Sequence, residues 1–303
     1  MNFLVIGHLC KDVIHLPDGT EVRSYGGIYY AVAALATLLG PSDSVVPVFG
    51  VNKTDHADII KQLAAFPNVE TSGIFKFDDP TNEVHLFYKD AQARIECSKH
   101  ISKPIPFEKI RRHLSVEGIL VNMISGSDIT LETLDNIRMA IRSHEVPIHF
   151  DYHSLTLGIN EKFERFRRPL VDWRRWAFMT DTIQLNEEEI AGLDGQNMTE
   201  EQTIKHLLTL SVKGVLVTRG EKGVTLYEND KKKVVRHDIP GEPVKRPQDA
   251  TGCGDVFGAA FLMQYVKTKD MKTAAEFANR IAARKAGLTG TEQLRLLTST
   301  TTA

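Results

Sequence analysis

A glycine-rich turn near the C-terminal end carries the residues with the clearest chemical potential. The sequence there is DATGCGDVFGAA, and its candidate residues are Asp249, Gly252, Cys253, Gly254 and Asp255. Glycines allow successive backbone amides to converge, and the apolar stretch that follows is typical of a long helix, whose N-terminus adds partial positive charge. These amides could therefore bind an anion such as a phosphoryl group in transfer.

Asp255 has two interpretations from the local sequence. It could cap the N-terminus of the following helix, as aspartate often does. It could also act as a general base, because a carboxylate beside an anion site is electrostatically unfavourable unless it has a proton to remove. The hydroxyl group that attacks a phosphoryl group supplies such a proton, so this interpretation predicts phosphoryl transfer to an alcohol.

Two common nucleotide-binding signatures are absent from the sequence. No G-x-x-x-x-G-K-[ST] occurs, and no G-x-G-x-x-G follows the first apolar run. These absences exclude a P-loop mechanism and the standard dinucleotide-binding fingerprint. The turn at residues 249–255 is therefore the leading candidate for phosphate binding.

Alternating apolar and amphipathic stretches must position this turn. Short apolar runs predict strands at residues 2–7, 44–49, 119–123, 148–151, 182–185 and 215–218. Ala/Leu-rich or amphipathic stretches predict helices at residues 29–39, 130–143, 162–176, 200–210, 255–267 and 271–287. Such alternation is typical of an α/β fold with a central, mostly parallel sheet flanked by helices. We expect one domain over residues 1–297.

Two segments interrupt this alternation. Residues 11–25 and 69–100 are predicted to form short strands with turns, and residues 84–89 alternate polar and apolar side chains. Period-two patterning is typical of an exposed antiparallel sheet. We therefore expect a small β-lid, formed by these two insertions, over one edge of the main domain. Its exposed edge would permit a homodimer through the lid. The polar tail at 298–303 is predicted to be disordered.

Composition and charge exclude several classes of protein. The formal net charge of −2 provides no overall attraction for nucleic acid. The longest apolar run, residues 28–39, is too short for the roughly 20 residues of a membrane-spanning helix. The first residues lack a basic leader and a cleavage site, which favours a cytoplasmic protein. The wide spacing of the cysteines indicates neither a disulfide framework nor a zinc site.

The glycine-rich turn closely resembles the C-terminal signature of the ribokinase-like carbohydrate and nucleoside kinase family. The matching residues are Asp249-x-x-Gly252-Cys253-Gly254-Asp255-x-Phe257. Four further landmarks of that family occur in the same order, and the resemblance covers essentially the whole chain. They are Gly7-x-x-x-x-Asp12, Gly26-Gly27, Asn186-x-x-Glu189 and Thr218-x-Gly220-x-x-Gly223.

This resemblance implies a role for each landmark. Asp255 would be the general base, and the amides of Gly252, Cys253 and Gly254 would form the anion hole. The residues implied to bind ATP are Thr218, Gly220, Gly223 and Asn279. Those implied to hold Mg²⁺ through water are Asn186 and Glu189. Those implied to contact the acceptor, a small sugar or nucleoside beneath the lid, are Asp12, Gly26, Gly27 and Asp249.

Three of these landmarks also have purely structural interpretations. Residues 218–223 could be an ordinary turn between strands. Asn186 could cap a helix, with solvated acids after it. Asp12 could be a surface acid on a loop at the end of a strand.

Departures from the family pattern affect the substrate more than the chemistry. Ala31 stands where many sugar-specific members have an asparagine that binds acceptor hydroxyls, and His153 replaces an amide in the run DYHS. Nearby arginines could attract an acidic acceptor, but on a predicted helix they are better explained as a solvated basic face. These arginines are Arg165, Arg167, Arg168, Arg174 and Arg175.

Two alternatives to a sugar kinase stay open. The first is a nucleoside kinase, in which aromatic side chains stack on the base. The candidates for stacking are Tyr25, Tyr29, Tyr30 and Phe87. The second is a catalytically silent protein that binds nucleotide or sugar and acts through a partner. Such a protein would gain nothing from a carboxylate beside an anion site.

Cys253 lies between the two glycines at the predicted helix N-terminus, where the helix field favours the thiolate. We expect it to react with alkylating agents faster than Cys10 and Cys97. The alternative is a small, packed and inert thiol, because the neighbouring Asp255 opposes a second negative charge.

Overall fold

Nine strands form the main sheet of the computed structural model, which describes residues 1–15, 18–88, 94–194, 197–230, 233–244 and 247–298. From one edge to the other they are β15 (Lys233–Pro240), β14 (Gly223–Asp230), β13 (Gly214–Thr218), β12 (Thr182–Asn186), β9 (Ile148–Asp151), β8 (Gly118–Asn122), β1 (Asn2–Ile6), β4 (Ser44–Asn52) and β5 (Ile74–Phe77). The pairs β13–β14 and β14–β15 are antiparallel, and the other pairs are parallel. The prediction of a mostly parallel sheet is confirmed.

Helices cover both faces of this sheet. One face packs against α1 (Ile28–Leu38), α2 (His56–Leu63), α8 (Cys253–Thr268) and α9 (Met271–Ala286). The other packs against α3 (Phe107–Ile110), α4 (Leu131–Ile141), α5 (Trp173–Phe178), α6 (Glu187–Gly192) and α7 (Glu200–Thr209). Because both faces are covered, a central strand such as β8 is buried at every position.

Four neighbouring strands end on polar residues at the same edge of the sheet. Asn122 ends β8, Asp151 ends β9, Asn186 ends β12 and Thr218 ends β13. Asn122 is in register with Asp151, and Asn186 with Thr218. The strands that follow β1 lie on both sides of it, with β4 on one side and β8 on the other. Such a change of direction opens a crevice at the carboxyl ends of the strands, where ligands bind in α/β sheets.

A second sheet of four strands, which we call the lid sheet, stands apart from the main one. Its strands, in order, are β3 (Glu21–Gly27), β2 (Leu9–His15), β6 (Asn82–Tyr88) and β7 (Arg94–Lys99). The outer pairs are antiparallel, as expected for the flap, but the central pair of β2 and β6 is parallel, which was not predicted. The predicted segment 69–100 also begins too early, because β5 lies within it and extends the main sheet beside β4.

Three other expectations concern local structure. The amphipathic stretch 162–176 is not one helix: β11 (Arg165–Arg167) pairs with β10 (Leu157–Ile159), and α5 begins only at Trp173. Within the described residues, no helix is long and apolar enough to cross a bilayer. The predicted disordered tail lies outside the described residues from position 299 onward, as do residues 89–93 of the predicted lid.

Candidate active site

The turn that precedes α8 is held in a conformation that requires glycine. Gly252 is the N-cap of α8 and has a φ of 80°, in the left-handed region. A Cβ atom at this position would lie 2.3 Å from Cδ1 of Tyr30, whose ring packs against the turn. Both the backbone conformation and the close approach of α1 therefore exclude a larger residue.

The first amides of α8 are open on the side of the crevice. No side chain caps this helix, and within the described residues the amides of Gly252 and Gly254 have no hydrogen-bond partner. The amide of Cys253 instead donates to the carbonyl of Ala250 at 3.2 Å. The expected anion hole is thus reduced to Gly252 and Gly254, with the positive end of a 16-residue helix behind them.

Asp255 lies in the first turn of α8 and does not cap it, so the N-cap interpretation is wrong. Its side chain is buried, and its Oδ1 accepts a hydrogen bond of 2.7 Å from Nδ2 of Asn122. Burial raises the pKa of Asp255 above its ordinary value, although His153 and the bond from Asn122 oppose that shift. A carboxylate with a raised pKa is a stronger proton acceptor, as a general base requires.

Asn122 is a site residue that the sequence reasoning missed. It ends β8 and orients Asp255 from the opposite side of the crevice. Its Oδ1 is buried and has no hydrogen-bond partner among the described residues. A buried amide oxygen normally has a partner, so this atom is suited to accept a hydrogen bond from a bound molecule. Its place at the end of an apolar strand was the only sequence signal that could have revealed it.

Three buried carboxylates lie in the crevice, and Asp151 is within electrostatic range of both Glu189 and Asp255. Burial raises the pKa of Asp151 and of Glu189, as it does that of Asp255. His153 is close to all three; burial lowers its pKa, but the carboxylates outweigh burial and the net shift is upward. A second cationic group beside the cluster is Arg167, whose Nη1 lies 3.6 Å from Oε1 of Glu189. The three carboxylates therefore outnumber the imidazole and the guanidinium, which leaves an excess of acidic groups in the crevice.

This charge excess is compatible with a hydrated divalent cation. Among the described residues, no three or more His, Cys, Asp or Glu side chains are arranged to hold a metal ion directly. Mg²⁺ usually keeps several waters and needs only one or two protein carboxylates. The donor set of the crevice therefore fits Mg²⁺ held through water.

Asn186 and Glu189 form a capping box at the start of α6. Oδ1 of Asn186 accepts the amide of Glu189 at 2.8 Å, and Oε2 of Glu189 accepts the amide of Asn186 at 2.8 Å. Oε1 of Glu189 accepts Nδ2 of Asn186, also at 2.8 Å. The helix-cap interpretation of Asn186 is therefore correct as local structure, but Glu189 is buried toward the carboxylate cluster and not solvated.

A cavity of about 580 Å³ opens beside the start of α8. It brings together Gly220, Asn279 and Cys253, of which the first two are predicted nucleotide-binding residues. Asn279 donates from Nδ2 to the carbonyl of Pro240. The other two predicted residues do not line the cavity: Thr218 donates to the carbonyl of Leu185, and Gly223 packs against the backbone of β15. The remaining lining is mostly small and apolar, with two acidic side chains: Glu221, Gly241, Glu242, Pro243, Val244, Pro247, Ala250, Ala282, Ala283 and Ala286.

The predicted acceptor residues lie where the lid sheet meets α1. Asp12 belongs to β2 and is only 6% exposed. Gly26 makes room for it, since a Cβ atom there would lie 1.8 Å from Oδ2 of Asp12. Gly27 is the N-cap of α1. Burial and then Asp12, Asp249 and Asp255 raise the pKa of Tyr30, so Asp12 and Asp255 both lie within electrostatic range of that side chain.

Asp249 and the Cys253 thiol have other surroundings than expected. The carboxylate of Asp249 accepts the amides of Thr251 at 2.9 Å and Gly290 at 3.4 Å, so the structure favours a role within the turn over acceptor contact. Burial raises the pKa of Cys253 to about 11. The expected thiolate character of Cys253 is therefore wrong, because loss of hydration outweighs the field of the helix. Cys97 and Cys253 are both partly exposed, whereas Cys10 is buried.

Most of the aromatic side chains proposed to stack on a base are buried or make other contacts in the structure. Tyr29 and Tyr30 are buried in the core between α1 and its neighbours. Tyr25 donates its hydroxyl to Asp58 at 2.9 Å. Phe87 is partly exposed on the lid sheet and stacks on His15 with ring centroids 4.2 Å apart. Stacking by Tyr29 or Tyr30 is therefore excluded.

The arginines do not form a free basic face. Arg165 and Arg167 lie on β11, where Arg165 donates to Ser98 and Arg167 to Thr156 and Glu188. Arg168 donates to a backbone carbonyl, Arg174 covers the ring of Trp173, and Arg175 pairs with Asp135. The expected helix face is thus wrong, and these internal pairings leave little charge for an acidic acceptor.

Comparisons with known proteins show which sequences this chain is similar to. Residues 163–295 match the sequence pattern of the pfkB family of carbohydrate kinases. The chain is 25% identical over 283 residues to a cytidine kinase of Thermococcus kodakarensis, covering 90% of this chain and 91% of that one. It is 40% identical over 157 residues to a ribokinase of Bacillus subtilis, covering 52% of this chain and 45% of that one.

A solved structure of similar fold extends the comparison. It is a pyrophosphate-dependent kinase in the ribokinase family, complexed with a pyrophosphate analog and myo-inositol. The TM-score is 0.76 at 17% identity, with 97% of this chain and 99% of that one covered. At this level of identity the likeness concerns the fold.

Proposed function

We propose that this chain, a ribokinase-like, PfkB-type kinase by its match to the pfkB family over residues 163–295, transfers the γ-phosphoryl group of ATP to an alcohol group of a small sugar or sugar-like molecule. One observation carries the proposal: the uncapped N-terminus of α8 has the buried carboxylate of Asp255 in its first turn. An anion site and a proton acceptor at one point are what transfer to a hydroxyl group needs.

In the proposed reaction, Asp255 removes the proton of the acceptor hydroxyl. The hydroxyl oxygen then forms a bond to the γ-phosphorus of ATP, the bond from that phosphorus to the bridging oxygen breaks, and ADP leaves. The amides of Gly252 and Gly254 stabilise the charge on the transferring group. Asn122 keeps Asp255 oriented toward the acceptor through its 2.7 Å hydrogen bond.

Mg²⁺ would be held through water by Glu189 and Asn186, with Asp151 nearby. When bound, the ion neutralises phosphate charge and so lowers the barrier to attack by an oxygen nucleophile. The protein's own part is to keep Glu189 fixed by the capping box and to present the carboxylate cluster toward the crevice.

The cavity beside α8 supports a nucleoside triphosphate as the donor. Its volume of about 580 Å³ lies in the range of ordinary small-molecule sites. Its small apolar walls suit a planar base, whereas the pyrophosphate used by the structurally similar kinase would leave this space without a function. Asn279 and Gly220 would contact the nucleoside.

Asp12 would bind acceptor hydroxyls beneath the lid sheet. Its carboxylate is buried, and both Asp12 and Asp255 lie within electrostatic range of Tyr30. Asp12 is therefore well placed to orient a polyol for proton removal by Asp255. A nucleoside acceptor is the second candidate, because the cytidine kinase similar to this chain matches over nearly its full length. Either acceptor presents a ribose-like or other polyol face to Asp12.

The test is product formation with purified protein, Mg²⁺ and either ATP or pyrophosphate. A panel of pentoses, hexoses, inositols, purine nucleosides and pyrimidine nucleosides should contain an acceptor that yields a phosphomonoester and ADP. Asp12→Ala should then raise the acceptor KM and lower kcat while ATP affinity stays constant. Ligand binding without product for every acceptor would favour the silent binding protein, and turnover with pyrophosphate alone would overturn the donor assignment.

A further inference from the structure

Lys285, near the C-terminal end of α9, is a lysine with no exposed surface. Lysines are almost never fully buried unless the ammonium group is paired. Here Nζ donates to the carbonyl of Asp249 at 3.0 Å and to the carbonyl of Leu288 at 3.3 Å. It also lies 3.6 Å from Oδ2 of Asp249. The ammonium group is thus surrounded by oxygen atoms of two separate segments.

The two segments joined by Lys285 are the turn before α8 and the loop after α9. The amides of Gln248 and Asp249 both donate to the carbonyl of Ala286. The carboxylate of Asp249 accepts the amides of Thr251 and Gly290, one from each segment. Lys285 therefore lies at the centre of a hydrogen-bond network that joins the two segments and fixes the position of the turn at 249–252.

This hydrogen-bond network lies next to the uncapped start of α8. Nζ of Lys285 lies 5.7 Å from the ring centre of Tyr30, the ring that packs against Gly252. The positive charge also acts on the site beyond the turn, because it favours the ionised forms of Cys253 and Asp255 and so opposes the effect of burial on their pKa values. Lys285 can thus influence both the position of the amides and the field at the base.

We propose that Lys285 is a positioning residue for phosphoryl transfer: its buried ammonium group acts as a built-in cation that holds the turn at 249–252 so that the amides of Gly252 and Gly254 face the crevice. The inference rests on the proposed function for its effect on catalysis, but its structural part stands independently. Lys285 itself touches neither the donor nor the acceptor.

The charge, and not only the volume, of the side chain is required. Without a cation, the carbonyl oxygens of Asp249 and Leu288 would lose the bonds from Nζ, and Oδ2 of Asp249 would keep only the 3.4 Å bond from the amide of Gly290. Leaving buried oxygen atoms without their donor is strongly unfavourable. The turn would then have to open toward water to hydrate those oxygens. Lys285→Met keeps most of the volume and removes the charge, so it separates the two contributions. Lys272→Ala is the matched control, since Lys272 is an exposed lysine on the same helix.

The first measurement is steady-state turnover of both variants after cooperative thermal unfolding has shown that they are folded. Lys285→Met should lower kcat by about 10²-fold, the usual result of a displacement on the order of 1 Å at a transition-state contact. The acceptor KM should stay constant, because Asp12, the proposed acceptor contact, lies outside this hydrogen-bond network. Lys272→Ala should behave as wild type. Full activity in folded Lys285→Met would overturn the proposal.

The second measurement asks whether a free cation can replace the missing one. Lys285→Ala leaves a space lined by oxygen atoms, so ammonium or methylammonium chloride should restore turnover in a saturable manner. Choline chloride at the same ionic strength should not, because its cation is too large and donates no hydrogen bond. A loss of activity that no small ammonium ion restores, in a folded variant, would show that Lys285 acts through packing alone and would contradict the proposal.

Hydrogen exchange separates this inference from the proposed function. In Lys285→Ala without ligands, the amides of residues 249–256 should exchange faster than in wild type, and methylammonium should slow them again. If the wild-type protein transfers no phosphoryl group but this exchange result is obtained, the proposed function fails and the cation role of Lys285 holds. If the wild type is active and exchange at 249–256 is the same in the variant, the inference about Lys285 fails alone.

Discussion

Helices α6 and α8 begin at the same crevice but treat their first amides in opposite ways. At α6, Asn186 and Glu189 satisfy one another's backbone amides in a capping box. At α8, the N-cap is Gly252, no side chain caps the helix, and the amides of Gly252 and Gly254 are left without a partner within the described residues. The first arrangement closes a helix end, and the second leaves it open for an anion.

Helix starts in one fold can therefore have different roles: a capped start stabilises the fold, and an open start is available to bind a ligand. A third helix, α7, also begins with a capping box, formed by Thr199 and Gln202. A capped start contributes stability whether or not a ligand is bound. The start of α8 gives up that contribution, and its position is maintained by Tyr30, Asp249 and Lys285 instead. A helix start that has no side-chain cap but is held in place by tertiary contacts is therefore a better marker of a phosphate site than a capped helix start.

Substitution of Asp255, the proposed base at the open helix end, should reduce activity most. Asp255→Asn keeps the size and the hydrogen-bonding capacity of the side chain but removes its ability to accept a proton. We expect kcat to fall by about 10² to 10⁴-fold while the affinity for ATP stays within a few-fold. Turnover close to wild type would show that Asp255 is only a structural residue of the first turn.

A second large effect should follow from closing the space at the start of α8. Gly252→Ala would force a Cβ atom to within 2.3 Å of Tyr30 at a φ of 80°, so the turn must shift. We expect kcat to fall by about 10²-fold, since the amides would no longer face the transferring group. The matched control is Gly192→Ala at the end of α6, where no atom lies within 4 Å of the added Cβ. Equal activity of the two variants would contradict the role of the turn.

The pH dependence of kcat reports on the same base. Because burial raises the pKa of Asp255, the carboxylate becomes protonated and inactive at a higher pH than an ordinary aspartate would. We expect kcat to fall by about tenfold per pH unit below that point. His153 opposes the upward shift, so His153→Gln should move the acid limb to still higher pH. A limb that moved to lower pH would contradict the electrostatic account of the crevice.

The smallest effect should come from the capped helix ends. Asn186→Ala and Thr199→Ala each remove a side-chain cap, and each should lower the free energy of unfolding by about 1 kcal/mol in denaturant titrations. Only Asn186→Ala should also raise the Mg²⁺ concentration needed for half-maximal activity. If both variants left the Mg²⁺ dependence unchanged, the capping box of α6 would be purely structural.

Much of the fold could be predicted because its signals are local. The strands β1, β8, β9, β12 and β13 are short segments buried at nearly every position, because both faces of the sheet are covered. The prediction of one helix at 162–176 was wrong because the spacing of polar and apolar residues there also fits a strand followed by a short helix. The parallel pairing of β2 with β6 joins distant segments, which no local pattern specifies.

The candidate site was predictable only where one motif contains it. The turn at 249–255 carries its glycines and its acid in seven consecutive positions. Asn122 and Lys285 reach that turn from other parts of the chain, and each looks ordinary in its own segment. Burial also decides properties that the sequence cannot show: the helix field predicts a reactive Cys253, but loss of hydration raises its pKa to about 11.

Hydrogen exchange at the helix ends can show whether the open start of α8 binds the transferring phosphoryl group. The protein would be saturated with ADP, Mg²⁺ and fluoroaluminate, which imitates a phosphoryl group in transfer, and compared with the protein in ADP and Mg²⁺ alone. We expect the added anion to slow exchange of the amides at residues 252–256, at the start of α8, and to leave residues 200–203 of capped α7 unchanged. No slowing at α8, or equal slowing at both helix ends, would contradict the assignment of the open helix start as the phosphoryl-transfer site.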